Sequence, residues 1–111
     1  MVWYKIAESK EELFSKEDNL LEIEVEGKSV CLAFFQGSIK ACAAKCPHAG
    51  GKMSVGYIDS LGNIVCPLHR YKFSMENGRN VSGEGYFLKI YKVEERVDGL
   101  YVGIEIGRAH V

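Results

Sequence analysis

Two short stretches of this chain constrain it more than any other feature. One is Cys46-Pro47-His48 and the other is Cys66-Pro67-Leu68-His69, with seventeen residues between His48 and Cys66. The only two prolines of the chain each follow one of these cysteines, and two of its three histidines sit in these stretches. Thiolate and imidazole are the usual ligands of soft to borderline metals. Residues one or two positions apart in a tight loop reach the same small centre. Proline fixes φ and removes a donor, which stiffens each loop. Gly50-Gly51 lets the first loop turn sharply and bring its backbone N–H groups close to an inorganic centre. A fold that uses these four residues together must place the two loops tip to tip.

The order of the ligand types narrows the choice. Structural zinc sites usually pair like with like, two cysteines and then two histidines. Ferredoxins of the all-cysteine kind need four thiolates. Here each loop supplies one thiolate and one imidazole, which suits a two-iron cluster with both cysteines on one iron and both histidines on the other. A structural zinc site is the alternative, and two unrelated Cys/His pairs in loops is the bland one.

The rest of the chain reads as all-β. Twelve glycines and many short β-branched and aromatic runs are spread over 111 residues, a length that fits one domain. Residues 3–7 read as a strand, and Ser9-Lys10-Glu11-Glu12 reads as a capping box opening a short helix to about Ser15. Residues 20–26 alternate, with Leu21, Ile23 and Val25 on one face and Glu22, Glu24 and Glu26 on a solvated one; a docking patch for a basic reductase is the weaker reading of those glutamates. Residues 30–35 form a nearly continuous apolar strand, turned by Gln36-Gly37 into a return strand over 39–44. Short strands follow at about 63–66 and 71–75, the latter turned by Asn77-Gly78. A final hairpin, 87–93 with 100–106, turns through Asp98-Gly99. About nine short strands imply an antiparallel β-sandwich or barrel-like fold. Residues 45–85 are richer in glycine and less periodic, and read as a small subdomain built around something other than a hydrophobic core. A single domain over 1–106 with a short tail over 107–111 is expected.

The motifs Cys46-Pro47-His48-Ala49-Gly50-Gly51 and Cys66-Pro67-Leu68-His69, followed by Phe73 and Asn77-Gly78, resemble those of Rieske ferredoxins and the Rieske domains of bacterial oxygenases. The resemblance covers roughly residues 3–105. It implies the Rieske iron–sulfur fold, three antiparallel sheets with the cluster loops at one tip. It implies one [2Fe–2S] cluster on Cys46, His48, Cys66 and His69, with the histidines bound through Nδ1 and their Nε2 atoms near solvent. Respiratory members carry an extra cysteine in each loop; Ala49, Gly50, Gly51 and Leu68 stand here instead. They also carry hydroxyl side chains two and four residues after the last ligand, where this chain has Tyr71 and Phe73. Fewer hydrogen bonds to cluster sulfur imply a potential near the low end of the Rieske range, about −150 mV. Where many members have a proline-bearing cover loop, this chain has Gly83-Glu84-Gly85-Tyr86, read as a glycine-built, more mobile lid whose Glu84 is a solvated carboxylate.

Other residues read more plainly. Cys31 and Cys42 face each other if Gln36-Gly37 is a two-residue turn, and read as packed strand thiols rather than a redox pair. Trp3, Phe34 and Tyr91 read as core or edge packing, and His110 as a surface residue of the tail. The formal net charge of −1 gives no sign of nucleic-acid or anionic-membrane binding, and no run approaches the roughly 20 apolar residues of a membrane span. With no signal-like start, a cytoplasmic protein is expected.

The expected function is one-electron transfer from a ferredoxin reductase to a terminal oxygenase or similar enzyme, by a carrier rather than a catalyst. A small redox subunit paired with the large subunit of a reductase, such as an assimilatory nitrite reductase, is the alternative, and a zinc-stabilised module a weaker one. A complete oxygenase needs a further iron on two histidines and a carboxylate. Only His110 would remain for it.

Overall fold

The computed structural model describes residues 1–13, 19–48 and 50–105. The described residues form nine strands: β1 (Val2–Ala7), β2 (Leu20–Val25), β3 (Lys28–Phe35), β4 (Ser38–Ala43), β5 (Tyr57–Ile58), β6 (Ile64–Val65), β7 (Lys72–Phe73), β8 (Ile90–Arg96) and β9 (Gly99–Ile104). A short helix α1 (Lys10–Leu13) follows β1, and a single 3₁₀ turn spans Met53–Val55. The antiparallel, nearly all-β architecture expected from the sequence is present. The strands form a six-stranded antiparallel sheet in the order β1-β9-β8-β4-β3-β2 and a separate three-stranded sheet, β5-β6-β7.

Two three-stranded halves compose the large sheet, joined where Ala41 and Cys42 of β4 pair with Tyr91 and Ile90 of β8. The sheet curls, and both halves line one core of Ala7, Val25, Val30, Leu32, Ile39, Ala41, Leu100, Val102 and Ile104. Strand β3 explains its own unbroken apolar run. Val30 and Leu32 point into that core, while Cys31 and Ala33 point to the opposite face and a second core. A strand covered on both sides needs apolar residues at every position.

The second core joins the outer face of β3 and β4 to residues 46–88. It contains Cys31, Cys42, Cys46, Met53, Ile64, Cys66, Phe73, Met75 and Leu88. The small sheet is therefore welded to the large one through a sulfur-rich layer, and β5-β6-β7 is too short to bury much by itself.

Several local expectations shift by a residue or two. Gln36-Gly37 does close a two-residue turn between Phe35 and Ser38, with both φ values positive (50° and 80°), as a type I′ hairpin requires. The last hairpin turns through Val97-Asp98, since Gly99 already pairs with Arg96; Asp98-Gly99 is not the turn. Phe87–Leu88-Lys89 precede β8 rather than starting it, and residue 106 lies outside the described residues. The helix begins as expected, but Glu12 accepts from the backbone N–H of Glu8, one residue before the expected cap, and Ser15 lies outside the described residues. Glu24 and Glu26 are exposed. Glu22 is not: it is half-buried opposite Cys31, and its Oε1 has no hydrogen-bond partner among the described residues. Trp3 lies on β1, with the Arg96 guanidinium 5.4 Å from its ring, and Phe34 and Tyr91 pack against the first core. His110 lies outside the described residues.

Leu32 is fully buried in the core that both halves of the sheet line. Leu32→Ala is expected to cost about 2–5 kcal/mol, read as a fall in melting temperature of at least about 8 °C. Val97→Ala, at a fully exposed turn position, is expected to leave the melting temperature within about 2 °C of the parent. Equal melting temperatures for the two variants would contradict this packing.

Candidate metal centre

The two motif loops are built alike. In the first, Cys46 N–H donates to the Gly51 carbonyl (2.8 Å) and Gly50 N–H donates to the Cys46 carbonyl (2.9 Å). In the second, Cys66 N–H donates to the Tyr71 carbonyl (2.9 Å) and Arg70 N–H donates to the Cys66 carbonyl (3.0 Å). The fifth residue of each turn lies in the left-handed region, Gly50 at φ 74° and Arg70 at φ 62°. Glycine takes that conformation freely, whereas arginine is held there at a cost of about 1 kcal/mol. A third turn of the same pattern, Ser74 to Arg79 with Gly78 at φ 79°, follows directly. The sequence marks Asn77-Gly78 as a turn but gives no sign that it repeats the motif loops.

These turns carry the four candidate residues with their side chains sorted by depth. Cys46 and Cys66 are buried, His48 is half-buried and His69 is exposed. Gly51 sets how closely the loops approach. A Cβ there would lie 2.9 Å from Leu68 Cγ and 3.1 Å from Cys66 Sγ. Only the missing side chain lets the first loop lie against the second cysteine.

The two imidazoles meet with Nδ1 facing Nδ1 at 3.2 Å. Two imidazole nitrogens that each sit about 2.1 Å from one metal, at an angle of about 100°, lie that far apart. Among the described residues, no three His, Cys, Asp or Glu side chains converge on a point one ion could occupy. Paired imidazoles beside two buried thiols fit a group with two metal atoms better than a single tetrahedral zinc.

Aromatic rings lie closer to one histidine than to the other. The Tyr71 ring stacks on His48 with centroids 4.3 Å apart and planes at 27°. Tyr86 approaches His48 at 5.2 Å and Tyr71 at 5.9 Å. His69 has Tyr71 at 6.0 Å and His48 at 4.8 Å. Burial, with the Glu84 charge second, holds the Tyr71 phenol above its ordinary value. Phe73 is fully buried beneath the site.

The lid differs from the expectation of a loose loop. Gly83 and Gly85 do have positive φ, but polar side chains bind the segment together. Asn80, buried, donates through Nδ2 to the Lys72 carbonyl, to Ser82 Oγ and to Glu84 Oε1, each at 3.0 Å. Ser82 Oγ accepts from Lys72 N–H and donates to the same Glu84 oxygen. Glu84 is exposed yet not a freely solvated carboxylate. The Ser82 hydroxyl, then Asn80 and the nearby His48, hold it below the usual carboxylate range. The folded form keeps that contact above the ordinary glutamate range and loses it as pH falls through the depressed value. Nothing in the sequence marks Asn80 or Tyr86 for these roles; they become visible only when the lid folds back on β7.

Cys31 and Cys42 are directly paired across β3 and β4, as expected, and neither is in a disulfide. The hydrogen bond with Cys31, and then burial, pushes the Cys42 thiol up.

The Rieske [2Fe-2S] domain family matches residues 2–87. The chain belongs to that family. Its cofactor is a single [2Fe–2S] cluster, the group the paired loops suit. This Rieske domain is 36% identical over 63 residues to the ferredoxin component of the naphthalene 1,2-dioxygenase system of Pseudomonas putida, a stretch covering 57% of this chain and 60% of that protein. The chain thus spans less than two thirds of the length of that relative. Among solved structures it is similar to the ferredoxin in a complex of reduced oxygenase and oxidized ferredoxin of carbazole 1,9a-dioxygenase, with TM-score 0.75, 21% identity and 90% and 91% of the two chains covered. It is also similar to a protein assigned as the small subunit of an NADH-dependent nitrite reductase of Mycobacterium tuberculosis, with TM-score 0.78, 18% identity and 95% and 97% covered. At these identities the likeness is one of fold.

Gly51→Ala is expected to push the loops apart and lower the iron bound per chain by more than half. Gly50→Asn, at a left-handed position asparagine tolerates, is expected to keep most of it. Iron and acid-labile sulfide assays on both variants check this; full iron content in Gly51→Ala would contradict it.

Proposed function

We propose that this Rieske domain is a one-electron carrier whose cluster is held by Cys46 and Cys66 on one iron and by His48 and His69 on the other. The observation that carries the reading is the exposed 3.2 Å approach of the two Nδ1 atoms, beside two buried thiols. When bound, the cluster would supply one-electron redox chemistry. The chain supplies the rest. The cysteines anchor the buried side, the matching turns fix both loops, and the exposed histidine offers a short path to a partner.

Within these 111 residues the three histidines leave too few for a second iron site once two are used, which supports the carrier reading. Its partners are a reductase that loads the electron and a terminal oxygenase or similar enzyme that takes it. Similarity to the ferredoxin component of a dioxygenase system supports this assignment. A second reading, a small redox subunit of a nitrite-reductase type enzyme, is favoured by the nearly end-to-end structural match to such a subunit. We place the carrier in one domain over 1–106, with 45–85 holding the cluster and 107–111 as a tail. Among the described residues no helix is long and apolar enough to cross a membrane, in keeping with work in the cytoplasm.

The test is an anaerobic redox titration. The purified protein is expected to take up about one electron per chain near −150 mV and to return it to a Rieske oxygenase, while remaining inactive alone. No reversible electron uptake would contradict the carrier reading. Phe73→Tyr supplies a hydroxyl beneath the cluster; a net hydrogen bond of about 1 kcal/mol raises a one-electron potential by roughly 40 mV. An unchanged potential with the cluster intact would contradict the part assigned to Phe73.

A further inference from the structure

The turns that carry His48 and His69 are nearly equivalent, yet their surroundings are not. His48 is half-buried, stacked by Tyr71 at 4.3 Å and flanked by Tyr86 at 5.2 Å. His69 is exposed and, among the described residues, has no ring within the same distance except that of His48 itself. The Tyr86 ring is placed by the lid, since Tyr86 N–H donates to Asn80 Oδ1 at 3.4 Å and Asn80 is bound to Lys72, Ser82 and Glu84. Tyr71 is placed by the second turn, where its carbonyl closes the loop on Cys66 N–H. Two independent segments thus bring aromatic rings onto the same imidazole.

We infer that Tyr71 and Tyr86 are positioning residues that clamp and screen His48, leaving His69 as the one imidazole edge open to a redox partner. The inference rests on the carrier reading above and adds a direction to it. Stacked rings resist rotation of the imidazole about its own axis and exclude contact from that side. The lid network therefore acts on the site without touching it: Asn80, Ser82 and Glu84 hold Tyr86, and Tyr86 holds His48. A partner approaching the tip meets the bare edge of His69, and meets tyrosine where His48 would otherwise be. Electron transfer then runs through one ligand.

The difference is readable without any partner. The iron-loaded protein is treated with diethylpyrocarbonate, which labels accessible imidazole nitrogen, and each histidine is followed by peptide mass spectrometry. His69 is expected to be labelled about tenfold faster than His48, the upper end of what one aromatic contact supplies. Tyr71→Phe and Tyr86→Phe are expected to keep that ratio, because the rings and not the hydroxyls do the screening. Tyr71→Leu with Tyr86→Leu is expected to bring the two rates together. If the double variant loses iron, Tyr86→Leu alone, which removes the more distant ring, is expected to lower the ratio with the cluster in place. Equal labelling of both histidines in the parent protein, or a ratio unchanged in iron-loaded leucine variants, overturns the inference and leaves the carrier reading standing. Absence of iron and sulfide from the parent protein overturns the carrier reading instead.

Discussion

The site depends on a backbone turn used twice. In each, a cysteine N–H closes on the carbonyl five residues ahead, and the cysteine carbonyl is met by the N–H four residues ahead. These bonds tie the ends of each loop together before any metal contributes. They turn the cysteines inward and leave the histidines outward, so the ligand types separate by depth. Proline after each cysteine removes one donor that would otherwise need a partner and narrows the backbone at the loop tip. The second loop reaches the geometry with Arg70 in the left-handed region, a local strain of the sort that persists where the surroundings over-determine it.

The remainder of the fold gives those turns a base. Strand β3 carries one core on each face, so the curled sheet and the small sheet share a single wall. Cys31 and Cys42 lie in that wall, in the same apolar layer as Cys46 and Cys66. Small, apolar, fully buried thiols fill a tight layer well. Glu22, beside Cys31 with a buried and unpartnered carboxylate oxygen among the described residues, is the one polar group of that strand edge that the fold draws inward.

Much of this was legible in the residues themselves. The alternation of residues 20–25 and the Gln36-Gly37 turn placed β2, β3 and β4 almost to the residue, because period-two patterning and type I′ turns are local signals. The Cys/His spacing singled out the candidate ligands because four rare residues were concentrated in two loops. What was not legible depends on contacts between segments distant in sequence. Tyr86 meets His48 only because Asn80 folds the lid back on β7. Glu84 looked like a solvated charge because its partners, Ser82 and Asn80, have many other uses. The shift of the last turn to Val97-Asp98 reflects register set by β1 and β8 on either side of β9, not by the turn residues.

In the proposed site two thiols and two imidazoles hold two irons unlike one another, one in sulfur and one in nitrogen surroundings. Electron paramagnetic resonance of the dithionite-reduced protein, with iron and sulfide counted on the same sample, tests that claim most directly. Two irons and two sulfides per chain with a rhombic signal of average g below 2 are expected for the mixed-ligand cluster of this family. Zinc without sulfide, or a cluster signal unchanged when His48 and His69 are both replaced, would contradict it.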